Sequence, residues 1–210
     1  MTDPAVLNTR HQCRQTLRAF RKSLSPSQQR NASRLLSQRL MQQTEIQQAR
    51  DIAFYCACDG EISAAFFIQQ WQRKQHRHAH LPIMLKHHQM RLASSDAPLI
   101  KNRWGIYEPK TRLISHMQQI DVILMPLVGF DLDGNRLGMG GGYYDRALAF
   151  KQRQTWRNKP LLIGLAHDGQ QIERVHAQPW DIPIDAIATP TRFIRFTQPT
   201  EIKRYSKYPV

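Results

Sequence analysis

One short run constrains this chain more than any other: Asp121-Val-Ile-Leu-Met-Pro126 is apolar at every interior position, on both of the faces that a strand presents. A strand apolar on both faces must be covered on both, which is the habit of parallel sheets flanked by helices. The runs Asp51-Ile-Ala-Phe-Tyr-Cys-Ala-Cys58 and Leu161-Leu-Ile-Gly-Leu165 have the same character, and residues 81–85, 90–93 and 185–196 supply further short strands. Helical patterns lie between them. Over residues 7–24, Cys13, Leu17, Phe20 and Leu24 recur four, three and four apart, with Arg10, Arg14, Arg18 and Arg21 interleaved. Ser25-Pro26-Ser27-Gln28 combines an N-cap serine, a first-turn proline and a glutamine at the third position, a capping box that opens a second helix through about residue 42. Ala64, Phe67, Ile68 and Trp71 mark a helix after the first strand, and another is expected after Gly142. The alternation predicts an α/β fold of three layers, a mostly parallel sheet with helices on both faces. No repeat or linker interrupts it, so residues 1–196 read as one domain and 197–210 as a loosely attached C-terminal tail.

Of the 210 residues, 41% are hydrophobic and 22% charged, which excludes a disordered chain. No stretch approaches the roughly 18 to 20 apolar residues of a membrane helix, and the start lacks the apolar core of a secretory signal, so the expectation is a cytoplasmic protein without membrane association. Three cysteines, Cys13, Cys56 and Cys58, form no CxxC pair and read as reduced thiols. The net charge of +14 would attract polyanions. Its excess lies at the ends, with nine basic and two acidic groups in residues 1–50 and ten and five in residues 151–210, while the middle is nearly neutral. That distribution suits a solvated surface better than a nucleic-acid groove, although a basic nucleic-acid-binding protein stays as the alternative reading.

Residues 125–146, MPLVGFDLDGNRLGMGGGYYDR, hold six of the ten glycines: beside Gly129, the set Gly134, Gly138, Gly140, Gly141 and Gly142 outnumbers what one turn needs. The segment follows a buried strand and opens a helix, the place where open α/β sheets bind ligands and where glycines let amides converge on a phosphate. The string is neither of the usual nucleotide-loop patterns, and a bare glycine cluster could equally be a tight turn. Arg136, Tyr143, Tyr144, Asp145 and Arg146 beside it favour a magnesium–nucleotide site.

Residues 129–145 match G-F-D-x-x-G-x-R-L-G-x-G-x-G-Y-Y-D, and in this the chain resembles the 5-formyltetrahydrofolate cyclo-ligases, or methenyltetrahydrofolate synthetases. Supporting matches are Arg14-x-x-x-Arg18, Glu61-Ile62, Gly105-Ile106-x-Glu108-Pro109, Gly164-Leu165-Ala166 and Pro179-Trp-Asp181-Ile-Pro183. The resemblance implies a fold shared with certain sugar-phosphate isomerases and coenzyme A transferases. It also implies an ATP- and Mg2+-dependent conversion of folinate, with or without a polyglutamate tail, to methenyltetrahydrofolate with release of ADP and phosphate. A paralogue acting on another acceptor would carry the same loop. On this resemblance Gly138, Met139, Gly140, Gly141, Gly142, Tyr143 and Tyr144 cradle the nucleotide, Arg14, Arg18 and Arg136 meet phosphate charge, and Asp145 holds Mg2+. Arg136, Tyr143 and Asp145 form the catalytic set, and Glu61, Met90, Trp104 and Tyr143 face the folate. A small-molecule enzyme of this kind is expected to be a monomer.

The chain departs from the family pattern at Arg14, commonly lysine, and over residues 175–178, which carry no assigned role. Arg10 and Arg21 are assigned to solvent, and Asp181 to a turn before Pro183. Without the resemblance, Arg14 and Arg18 would read as a solvated stripe, Trp104 as core or pocket lining, and Glu61 as a surface carboxylate. Of Tyr143 and Tyr144, one ring should face ligand and one be buried, with Tyr143 favoured for the ligand. His76, His78 and His80 in QRKQHRHAH suggest a metal only weakly, because no acidic or thiol ligand accompanies them, and a solvated loop is expected. Cys56 and Cys58 share a strand face as structural thiols rather than a redox pair.

Overall fold

The computed structural model describes residues 4–153 and 159–196, so the proposed tail at 197–210 lies outside the described residues. Five helices, α1 (Pro4–Ser23), α2 (Pro26–Met41), α3 (Thr44–Gln48), α4 (Ala65–Trp71) and α5 (Tyr143–Ala147), are joined to strands β1 (Asp51–Ala53), β2 (His78–Met84), β3 (Met90–Ser94), β4 (Leu99–Lys101), β5 (Tyr107–Pro109), β6 (Val122–Pro126), β7 (Gly129–Phe130), β8 (Arg136–Leu137), β9 (Leu161–Leu165), β10 (Ala186–Ala188) and β11 (Phe193–Arg195). Seven of the strands form one sheet in the order β11-β10-β9-β6-β1-β2-β3. The five inner strands are mutually parallel, and β3 and β11 close the edges antiparallel. The expected mostly parallel sheet is present.

The apolar runs explain the layers. Along β6, Val122 and Leu124 point into one core and Ile123 and Met125 into the other, and β9 and β10 divide their side chains in the same way. The first core is closed by α2, α3 and α4 through Leu36, Leu40, Ile46, Phe67 and Trp71. The second is closed by α5 and the turn after it through Leu148 and the two tyrosines, and by Ile182 and Ile184 from the segment leading into β10. The capping box forms as read: the Ser25 hydroxyl accepts from the Gln28 amide at 3.3 Å, and the Gln28 side chain accepts from the Ser25 amide at 2.8 Å.

Two expectations need correction. The first strand is regular only to Ala53; beyond Phe54, which still bonds His80, the chain leaves the sheet, and the Tyr55 hydroxyl donates to the Ile62 carbonyl at 2.6 Å to close a loop. The histidine segment is not all solvated loop. Pairing of Asp51 with His78 begins β2 inside that polar run, and His80 is buried, with Nε2 2.9 Å from Asp51 and Nδ1 3.0 Å from the Ser115 hydroxyl. Among the described residues no cluster of three His, Cys, Asp or Glu could hold a metal ion, and no helix is long and apolar enough to cross a membrane.

Candidate active site

From β1 the strand order runs one way to β2 and β3 and the other way to β6, β9 and β10, so the direction of winding reverses between β1 and β6. Loops leaving the carboxyl ends of the strands part at such a point and leave a crevice. Here the β1 loop carries Asp59, Gly60 and Glu61, and the β6 loop runs through the ribbon β7–β8 to the glycines.

The β1 loop is fastened to α1. Asp59 and Gly60 both have positive φ, at 50° and 75°, and a Cβ on Gly60 would lie 2.7 Å from the Arg21 carbonyl oxygen, so the turn needs its glycine. The Asp59 carboxylate accepts from Arg18 Nε at 2.7 Å and Nη2 at 3.1 Å, from Arg21 Nη2 at 2.7 Å, and meets Lys22 Nζ at 2.6 Å. These bonds, Arg18 first, hold its carboxyl well below the usual range. Glu61 is almost wholly buried. Its Oε2 accepts from the Cys58 amide at 3.1 Å and thiol at 3.6 Å, and its Oε1 lies 3.8 Å from Arg21 Nη1. Burial pushes the Glu61 carboxyl up, against the pull of the Cys58 amide and Arg21. Burial also raises the Cys58 thiol to about 11, against ready formation of a thiolate; neither Cys56 nor Cys58 lies on the strand expected to carry them, since β1 ends at Ala53.

The β6 loop is built on a buried carboxylate. Asp131 accepts from the amides of Asp133 (3.0 Å), Asn135 (2.9 Å) and Val175 (2.9 Å), which fixes the ribbon that delivers residues 138–142 to the crevice. In that loop Gly140 and Gly142 adopt φ of 100° and 66°. Arg14 Nε donates to the Gly138 carbonyl at 2.8 Å, and its guanidinium carbon lies 3.7 Å from where a Gly140 Cβ would stand. Arg146 Nη1 donates to the Gly141 carbonyl at 2.9 Å. Arg136 is buried, and its Nη2 donates to Asp145 Oδ1 at 2.5 Å; the same oxygen accepts from the Ile182 amide at 3.2 Å.

On the far wall Trp104, 46% exposed, stands edge-on to Tyr143 with ring centroids 6.0 Å apart, and His88 packs on the same ring at 5.4 Å. Met90 is buried in the layer on which both tyrosines rest. The Tyr144 hydroxyl is enclosed, and burial and the nearby Glu61 raise its pKa.

The structure thus gathers the residues singled out from the sequence, but it redistributes their work. Arg18 spends its fork on Asp59, and Arg136 is an internal partner of Asp145 rather than a free cation. Arg10 and Arg21 are not in solvent. Arg10 Nη1 bonds Asp181 at 2.8 Å, and Arg21 is fully buried against Asp59, the Leu127 carbonyl and the Met139 sulfur. Asp59, Arg21 and His88 join the lining of this crevice although no motif marked them. The spacing did hold a signal for Arg21, since Arg14, Arg18 and Arg21 fall at i, i+4 and i+7 on one face of α1.

Two observations suit this lining to a phosphate-rich ligand. Burial, and then the neighbouring Arg10, draw the Arg14 pKa down against the pull of Asp181, and its guanidinium stands beside Gly140, whose φ is positive. The Tyr143 hydroxyl is buried and meets no hydrogen-bond partner, which a bound polar group would correct.

The model of the 5-formyltetrahydrofolate cyclo-ligase family matches residues 6–190. The chain is 38% identical over 183 residues to the 5-formyltetrahydrofolate cyclo-ligase of Haemophilus influenzae, covering 83% of this chain and 94% of the relative. It is 34% identical over 189 residues to the Escherichia coli K12 protein so named, covering 84% and 97%. The solution structure of Aquifex aeolicus 5,10-methenyltetrahydrofolate synthetase superposes with a TM-score of 0.77 at 27% identity, over 95% of this chain and 99% of that one. The Mycoplasma pneumoniae 5,10-methenyltetrahydrofolate synthetase gives 0.69 at 25% identity, over 86% and 98%. With the crevice between β1 and β6 lined by Glu61 and the glycine loop, and with the family model spanning nearly the whole fold, this chain belongs to the 5-formyltetrahydrofolate cyclo-ligase family.

Proposed function

We propose that the enzyme converts 5-formyltetrahydrofolate to 5,10-methenyltetrahydrofolate at the expense of ATP, with Mg2+ as cofactor, releasing ADP and phosphate. The formyl carbon on a tetrahydrofolate nitrogen is a poor electrophile, and ring closure by the neighbouring nitrogen requires its oxygen to leave. Bound Mg-ATP supplies the phosphoryl group that makes this oxygen a leaving group. What remains for the protein is positioning and charge neutralisation.

The glycine loop and Arg14 hold the phosphates, with Arg146 and the exposed edge of Arg18 adding positive charge. Asp145 keeps Oδ2 for Mg2+ while Oδ1 serves Arg136 and the Ile182 amide. One carboxylate matches magnesium's habit of using few protein ligands beside phosphates and water. Trp104 and Tyr143, with Met90 beneath, form the apolar wall for the pterin, and Glu61 accepts its N–H groups. The observation that carries the reading is the buried Tyr143 hydroxyl without a partner, set between that wall and the glycine loop. Its test is the ultraviolet absorbance of methenyltetrahydrofolate formed from folinate. Product is expected only when ATP and Mg2+ are both present, and ATP hydrolysis without methenyl product would move the acceptor to another substrate.

A further inference from the structure

Arg21 is a fully buried cation in the wall of the crevice. Its Nε donates to the Asp59 carbonyl at 2.7 Å, Nη2 to the Asp59 carboxylate at 2.7 Å and to the Met139 sulfur at 3.4 Å, and Nη1 to the Leu127 carbonyl at 3.2 Å, with Glu61 Oε1 3.8 Å from Nη1. These partners belong to three separate structures: the turn after β1, the exit of β6, and the glycine loop. A guanidinium is a rigid planar fork, so four directed hydrogen bonds and one ion pair from one group fix the three relative to one another in a way that a lysine cannot.

We propose that Arg21 is a positioning residue of the reaction, holding Glu61 as an oriented carboxylate at a set distance from the glycine loop. The proposal rests on the reading given under Proposed function, in which Glu61 receives the folate. Glu61 faces Arg21 from α1, Cys58 and Asp59 from its own turn, Tyr55 from the loop after β1, and Tyr144 from α5. Cys58 and both tyrosines are pushed upward and stay neutral, and Asp59 is a carboxylate already shared by Arg18, Arg21 and Lys22. Arg21 is therefore the cation that favours an ionised Glu61 against its burial. To accept pterin N–H groups through both oxygens Glu61 must be ionised, since protonation turns one oxygen into a donor, so loss of Arg21 should raise the pH below which folinate binding fails.

The test is steady-state methenyl formation by the full chain across pH, with folinate and ATP varied separately. Relative to wild type, Arg21→Gln is expected to raise KM for folinate by about tenfold or more, as for the loss of one charge-assisted contact. It should also move the acid limb of kcat/KM for folinate upward by about one pH unit, as for removal of a neighbouring opposite charge. KM for ATP should change by a smaller factor. Arg21→Lys, which keeps the charge and loses the fork, should recover most of the limb and little of the KM. Arg10→Gln is the control, because Arg10 is also buried on α1 and also pairs with a carboxylate, Asp181, away from Glu61. It should lower Tm without moving the limb. If Arg21→Gln fails to fold, Arg21→Lys decides: wild-type KM and limb in that variant overturn the proposal, and a raised folinate KM sustains it. A purely structural Arg21 would lower Tm in both variants and leave KM and limb in place, which also overturns it. A wild-type enzyme that forms no methenyl product overturns the reading of the substrate, and this proposal with it.

Discussion

At the scale of single residues the site keeps two carboxyls on opposite sides of their ordinary range. Asp59, bonded to three cations, ionises more readily in the folded chain than in the unfolded one. Its contribution to stability is full above the ordinary value of 3.8 and is lost as pH falls from there toward its lowered folded value. Glu61 runs the other way: its folded pKa is raised above 4.5, so ionising it costs stability as pH climbs through that window. Urea titrations at pH 7 should accordingly find Glu61→Gln no less stable than wild type though defective for folinate, and Asp59→Asn clearly less stable. The reverse order would undo both assignments. Asp145 has a double burden. The sequence places it at the mouth of a phosphate cradle and predicts a metal ligand whose removal spares the fold. Its bond to the buried Arg136 changes that, because taking one partner from a buried pair costs roughly 3–5 kcal/mol. Asp145→Asn should lose turnover and also several degrees of Tm, while a variant that melts like wild type would show that Arg136 finds another partner.

Among elements, α1 shows most plainly what a pattern can and cannot tell. Its amphipathic spacing is legible because apolar residues recur at the helical period, and the capping box that opens α2 is legible because its bonds join residues only three apart. The arginines are harder. They too recur at four, four and three, but a cationic stripe normally faces water, and only the carboxylates of distant loops, Asp59 and Asp181, turn this one inward. The same holds for β2: a polar run reads as loop until pairing with β1 and the Asp51–His80–Ser115 chain of hydrogen bonds show why His80 can be buried. Partners remote in sequence decide both cases, and no local window contains them. The stripe now divides by contact. Arg14→Gln should raise KM for ATP by about tenfold or more through a lost charged hydrogen bond, with folinate KM little changed. Arg10→Gln should leave both constants near wild type while lowering Tm, since it takes from Asp181 its paired cation and leaves it with the Gln178 amide. Equal effects of the two on ATP would mean that the helix supplies only a diffuse field.

For the whole molecule, the apolar strands fixed the layers and the winding reversal between β1 and β6 fixed where a ligand can sit, so the position of the site follows from topology before any motif is consulted. The net charge of +14 is the property that topology leaves unexplained. Part of it is internal: Arg10, Arg21, Arg136 and Lys151 are buried against carboxylates and carbonyls, and so contribute little to any surface groove. That weakens the case for a nucleic-acid partner, whose affinity would have to come from exposed cations and fall steeply with salt. The two readings separate in a melting experiment. A ligand held only by the folded state at a hundred times its Kd adds about 2.7 kcal/mol. For a chain of this size each kcal/mol moves Tm by about 2–4 °C, so saturating Mg-ATP should raise it by roughly 5–10 °C. Because directed contacts from Arg14 and the glycine loop are less screened than a diffuse field, most of that shift should persist from about 50 to 200 mM salt. A duplex oligonucleotide should give no comparable shift at the higher salt. If the oligonucleotide stabilises the protein more than Mg-ATP does and loses its effect across that range, the crevice between β1 and β6 is not where the charge of this protein is used.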